Sequence, residues 1–173
     1  TKLSLAGSLS DVINILKEID VTSSGYTTIF YSGNSSNEKI KLKQFMDNPN
    51  IRIIDKTVAA EFLNIDAEKG NIVLREALSR ICKKDNPNFN IEDDLELKNG
   101  SLVKDFLYRT NNGAWDTVSK RFAVETKGEV IAIIGKDAKV GRTFFQTEFE
   151  ALKHNPNVTK INGVDKLSYI LGL

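Results

Sequence analysis

The chain has 173 residues, enough for one domain or two small lobes, and its 40% hydrophobic and 27% charged content is ordinary for a soluble globular protein. With 24 basic and 23 acidic side chains the net charge is +1, which excludes a nucleic-acid-binding surface over the whole molecule and leaves room only for a local patch. No apolar run approaches the ~20 residues of a membrane span, the opening TKLSLAGS lacks the apolar core of a signal peptide, and a single cysteine excludes an internal disulfide. Starting at Thr1 and carrying one methionine, Met46, the chain reads as a domain cut from a longer protein, so missing targeting signals say nothing of the parent.

In chain order, residues 8–19 (SLSDVINILKEI) place apolar side chains at 9, 12, 13, 16 and 19, a helical period capped by Ser8 or Ser10. YTTIFYSG is rich in β-branched and aromatic residues and predicts a strand. NEKIKLKQFM predicts a short basic helix ended by Asn48 and Pro49; IRIID is extended and KTVAAEFLNI helical again. Helical patterns follow over about 70–84 and 101–108, split by the polar loop KKDNPNFNIEDD. Glu92, Asp93, Asp94 and Glu96 lack the glycine and spacing of a calcium loop and read as a solvated helix start. After NNG come the helix of Trp115 and the strand GEVIAIIG; TEFEAL and NVTKING read as two more strands, and VDKLSYILGL closes the chain. The expected architecture is α/β: a helix-rich N-terminal lobe over about 1–110 and a C-terminal lobe over about 111–173 with a small, mainly parallel sheet.

Few side chains are available for chemistry. Cys82 adjoins the stripe Leu74, Leu78, Ile81 and reads as a buried thiol, and the only histidine is His154, so zinc, Cys-His and Ser-His-Asp centres are unsupported and no metal is expected. The loop Gly135–x5–Gly141–Arg142–Thr143 has one residue too many for a phosphate-binding P-loop, arginine where lysine belongs, and no helix after it. Lys136, Lys139 and Arg142 nonetheless make it basic, either as a phosphate-binding turn or as a solvated one. Trp115 and Ser119 share a helix face with Val118 and Phe122 close by, which fits a core residue as well as a ligand platform. Glu148, between Phe144 and Phe149, fits an exposed edge strand or an isolated functional carboxylate.

These pieces, in this order, carry a resemblance. IFYSG at 29–33, IDKTVAAEFL at 54–63, WDTVS at 115–119 and TFFQTE at 143–148 together resemble the ADP-ribosyl cyclase and NAD glycohydrolase family over about 27–150, the last two being the specific ones. The resemblance implies that Glu148 is the catalytic glutamate and that Trp115 packs against the nicotinamide end of NAD, with Ser119 beside it. It implies that Thr143 and Phe144 hold phosphate and ribose, that Asp55 stands where the family has a glutamate near the nicotinamide amide, and that Ser32 follows the aromatic residue of the early strand. Tyr31 replaces a tryptophan, and as a flat stacking surface it is expected to tolerate Tyr31→Trp. The family's phosphate-binding arginine is Gly33 here, which leaves that task to Arg142, and the glycine after Thr-Phe is Phe145.

The absence of disulfides resembles the family's bacterial toxin branch, whose members are C-terminal domains of contact-dependent inhibition proteins or other secreted effectors. That likeness implies a two-lobed fold with its cleft between the lobes, NAD as substrate and no cofactor. It also implies a cognate immunity protein over the cleft, no nucleic-acid partner, no stable membrane segment, and action in the target cell's cytoplasm after delivery by a secreted or surface protein. Hydrolysis to nicotinamide and ADP-ribose is the expected activity. Cyclisation to cyclic ADP-ribose and a non-catalytic nucleotide- or protein-binding module are the alternatives; transfer of ADP-ribose to protein has no convincing motif set.

Overall fold

The computed structural model describes residues 2–32, 36–65, 70–96, 99–135 and 147–172. In chain order the described elements are α1 (Leu9–Leu16), β1 (Thr27–Ser32), α2 (Ser36–Met46), β2 (Ile51–Ile53), α3 (Val58–Leu63), α4 (Ile72–Asp85), α5 (Ile91–Glu96), α6 (Leu102–Tyr108), α7 (Ala114–Val124), β3 (Gly128–Ile134), α8 (Phe149–Lys153), β4 (Val158–Ile161), β5 (Val164–Asp165) and α9 (Lys166–Leu171), with short 3-10 turns at Leu3–Leu5 and Ile54–Lys56. The protein is mixed α/β, and its five-stranded sheet has the order β2-β1-β3-β4-β5, parallel throughout except for the β4–β5 hairpin.

The chain divides into two compact units: Thr1–Val21 with Val58–Val118, and Thr22–Thr57 with Ser119–Leu173. The sheet therefore draws β1 and β2 from residues 27–53 and joins them to strands from the last third.

The first unit is helical. Ser8 caps α1 reciprocally: its hydroxyl accepts from Asp11 N at 3.2 Å, and the Asp11 carboxylate accepts from Ser8 N at 3.1 Å. A further bond from Gly7 N, the largest influence, helps hold the Asp11 carboxyl below its ordinary value. The acidic cluster does start a helix, α5, with Glu92, Asp93 and Glu96 exposed, but Asp94 departs from the expectation. It is buried rather than solvated, accepting from the Ser101 hydroxyl at 2.7 Å and from Leu102 N and Val103 N at 3.0 and 2.9 Å, and so supplies the first N–H groups of α6 with acceptors.

The second unit holds the sheet. β1 is buried on both faces through Thr28, Ile29 and Phe30, and β3 buries Val130 and Ile133. On one face Ile29, Ile51, Ile53 and Ile133 form a core against which Tyr31, Leu42, Phe45 and Met46 pack. On the other, Phe30 meets Phe122 of α7 edge to face with ring centroids 5.4 Å apart, and the buried Arg52 guanidinium lies 3.8 Å over the same ring. Burial pulls the Arg52 guanidinium down to about 10, with Glu125 opposing, so it is still charged at neutral pH. It donates to Thr126 Oγ1 at 2.8 Å and to the Phe122 carbonyl. Gly25, just before β1, has φ +135° and lies so close to β2 that a Cβ would stand 2.6 Å from the Asn50 carbonyl oxygen.

The expected strand over TEFEAL is helical. Thr147 and Glu148 form a widened turn that leads into α8, with Phe149 and Leu152 buried three residues apart. The apparent alternation of aromatic and polar residues there is overridden by that spacing, since Phe149 packs on Tyr169 and Glu150 pairs with Lys153. NVTKING does contain a strand, β4. Asn162 and Gly163 then turn the chain with positive φ at both residues, the geometry of a tight two-residue hairpin. The Asn162 side chain also accepts from Ala132 N at 2.7 Å and donates to its carbonyl at 3.2 Å, filling the place of a strand residue beside β3.

Candidate functional site

In an open parallel sheet, ligands bind beyond the carboxyl ends of the strands where the strand order reverses. Here β2 lies on one side of β1 and β3 on the other, so the reversal falls between β1 and β3. Tyr31 and Ser32 are the last two residues of β1, in register with Ile133 and Ile134. Gly135 N donates to the Ser32 carbonyl at 2.8 Å and continues the pairing one step further.

Asp55 reaches this edge from β2. The strand ends at Ile53 and the chain at once enters the 3-10 turn Ile54–Lys56, which carries Asp55. Lys56 holds the turn by donating to the carbonyls of Asn48 and Ile51 at 3.0 and 3.2 Å, and the Thr57 hydroxyl donates to the Ile54 carbonyl at 2.6 Å. The Tyr31 hydroxyl then donates to the Asp55 carboxylate, 2.8 Å from Oδ1 and 3.0 Å from Oδ2. Glu148, only 7% exposed, is the third member. Burial pushes the Tyr31 phenol well above its ordinary value, with the Asp55 charge and hydrogen bond next and the Glu148 charge adding to them. A phenol at the end of β1 and a carboxylate on the turn after β2 thus meet at one end of the sheet, and the charge of the buried Glu148, in the turn before α8, reaches that phenol.

Of the other predicted residues, Ser119 is buried on α7, three positions before Phe122. Trp115, one turn earlier on the helix, falls in the first unit; it is half-buried while Ala114 and Val118 beside it are fully buried. Ser32 is half-buried. Arg142, Thr143, Phe144, Phe145 and Gly33 lie outside the described residues. Reading the sequence missed Lys56 and Thr57, which shape the turn under Asp55. Their partners are backbone carbonyls that no side-chain pattern announces.

Among the described residues, no group of three or more His, Cys, Asp or Glu side chains is arranged to hold a metal ion, and no helix is long and apolar enough to cross a membrane. A groove of about 570 Å³ in the first unit, lined by Ile72, Arg75, Ser79, Arg80, Lys83 and Ile91 among others, contains none of the predicted site residues. Two of its cations serve the fold: Arg80 donates to the carbonyls of Ala6 and Leu3, and Arg75 to that of Ile65 while pairing with Glu92. Comparison with protein-family models, with curated proteins and with solved structures found no match.

Proposed function

We propose that this chain is an NAD glycohydrolase, similar to the toxin branch of the ADP-ribosyl cyclase family, that cleaves NAD to nicotinamide and ADP-ribose. The observation that supports this reading is the Tyr31–Asp55 pair at the carboxyl ends of the parallel strands, with the charge of the buried Glu148, far away in sequence, acting on the same phenol. A negatively charged site suits a substrate whose reacting end is a flat cation.

An ordinary glycosidase needs one carboxyl group to protonate the leaving oxygen and a second to assist attack. NAD needs no such acid. The bond between ribose C1′ and the pyridinium nitrogen breaks with its electron pair going to that nitrogen, and nicotinamide leaves neutral. Water adds to C1′ and releases one proton to solvent. The protein's task is to stabilise the oxocarbenium-like ribose, which the Glu148 carboxylate does by charge and by accepting from ribose hydroxyls. The Tyr31 ring holds the pyridinium face by stacking and cation–π attraction, on the order of 1–2 kcal/mol, and Trp115 has the nicotinamide-packing role that the resemblance implies. Asp55 accepts from the carboxamide N–H, Ser119 stands beside Trp115, and Ser32, Arg142, Thr143 and Phe144 contact the ribose and phosphates. Delivery into a competitor's cytoplasm, depletion of its NAD and neutralisation by an immunity protein that blocks the site complete the proposal.

Incubation of the purified chain with NAD and chromatography of the products tests this directly. Nicotinamide and ADP-ribose in equal amounts are expected. Recovery of intact NAD from a folded protein would leave a non-catalytic binding module as the better reading.

A further inference from the structure

We infer that Tyr31 is a positioning residue: its hydroxyl, rather than its ring alone, fixes the carboxylate of Asp55 for recognition of the substrate's carboxamide. The inference rests on the NAD glycohydrolase reading and adds to it a task that a tryptophan at this position cannot perform.

The geometry is unusual for a side chain serving only as a stacking surface. Asp55 is exposed at the surface, carried by a three-residue turn, and a carboxylate so placed is free to rotate. The Tyr31 hydroxyl lies between its two oxygens, at 2.8 and 3.0 Å, and a hydrogen bond to an ionised acceptor is the stronger kind. Tyr31 is itself held on both sides. Its backbone is inside the sheet, in register with Ile133, and its ring packs on the Ile29, Ile51, Ile53 and Ile133 core. A rigid strand thus transmits its position through one phenol to a carboxylate on a surface turn. Each oxygen keeps acceptor capacity after this bond, so Asp55 can take a carboxamide N–H as well. The phenol, faced by Asp55 and Glu148, is held in its donating form far into the alkaline range.

An indole in place of Tyr31 keeps a flat face and carries an N–H elsewhere on the ring; phenylalanine keeps the face and carries no donor. The expectation that Tyr31→Trp is tolerated therefore gives way to its opposite. The test compares Tyr31→Phe, Tyr31→Trp, Asp55→Asn and the double variant Tyr31→Phe/Asp55→Asn in NAD turnover, with melting curves recorded beside them. Loss of one charge-assisted hydrogen bond predicts a KM for NAD about ten-fold higher in both Tyr31 variants and a smaller change in kcat. Because the hydroxyl acts through Asp55, the double variant is expected to be no worse than Asp55→Asn alone. A wild-type KM in Tyr31→Phe, or effects that multiply in the double variant, would overturn the inference.

A second readout needs no activity. Alkaline titration of tyrosinate absorbance should show a phenol in the wild type, missing from Tyr31→Phe, that resists ionisation and that ionises at lower pH in Asp55→Asn. An unchanged titration overturns the Tyr31–Asp55 coupling, whereas a wild-type protein that fails to cleave NAD overturns the glycohydrolase reading instead.

Discussion

Glu148 is a carboxylate 7% exposed at the start of a five-residue helix, and its charge reaches Tyr31. A charge so buried is screened less than one in water and acts more strongly on what faces it. In the proposed reaction it acts on the positive charge that develops on the ribose. Glu148→Gln keeps the shape and removes the charge. It is expected to lower NAD cleavage by on the order of a thousand-fold, equivalent to about 4 kcal/mol of transition-state stabilisation, while the chain still folds. Near-normal turnover with an unchanged melting curve would take Glu148 out of the mechanism.

At the scale of elements, side chains finish what the backbone leaves open. Asn155 Nδ2 donates to the carbonyls of Ala123, Val124 and Thr126 at the end of α7, and Lys166 Nζ to those of Leu152 in the last turn of α8 and Asn155 just after it. Asp94 does the same at the start of α6 and is the sharpest test, because it is buried and accepts three bonds at once. Asp94→Ala leaves the Leu102 and Val103 N–H groups and the Ser101 hydroxyl without that acceptor. A loss of about 2–3 kcal/mol in chemical denaturation is expected. A change within about 0.5 kcal/mol, the range of ordinary surface substitutions, would show that these bonds are replaced by water at no cost.

For the molecule as a whole, pH and product are the two readouts. The Tyr31 phenol has its folded value raised by burial and by the Asp55 and Glu148 charges, and burial raises Tyr169 as well. A raised value means that the folded state holds the proton more tightly than the unfolded chain does. The stability this contributes is present in full below the ordinary phenol value near 10 and is lost as pH rises through the higher folded values. Denaturation midpoints measured from pH 8 to 12 should fall above about pH 10, and less steeply in Tyr31→Phe. A flat profile in the wild type would contradict the shift. For the product, cyclisation needs the adenine folded back over the ribose in a site that keeps water away. With Gly33 in place of an arginine and no indole at position 31, fewer groups clamp that pose, so ADP-ribose is expected with little or no cyclic product. Cyclic ADP-ribose as the main product would overturn this and leave the role of Glu148 intact.

Local patterns decide what local forces decide. The apolar spacing of SLSDVINIL with its Ser8 cap specifies α1 by its helical period, and the short β-branched and apolar runs TTIFY and EVIAII specify β1 and β3. Asn162-Gly163 also carried its hairpin signal in plain view, though it reads as a strand when taken with NVTKI. TEFEAL is the opposite case. Six residues allow either period, and contacts with Tyr169, far along the chain, select the helix. The candidate residues Tyr31, Asp55 and Glu148 were legible by type, but their meeting was not. It depends on β1 and β2 pairing in parallel register with β3, and on a turn locked by Lys56 against the carbonyls of Asn48 and Ile51. Sequence thus determines which side chains are available for chemistry. Only the packed sheet brings a phenol at 31 and a carboxylate at 55 to one edge, in reach of the charge at 148, because long-range pairing is a property of the whole chain's burial and of no single segment.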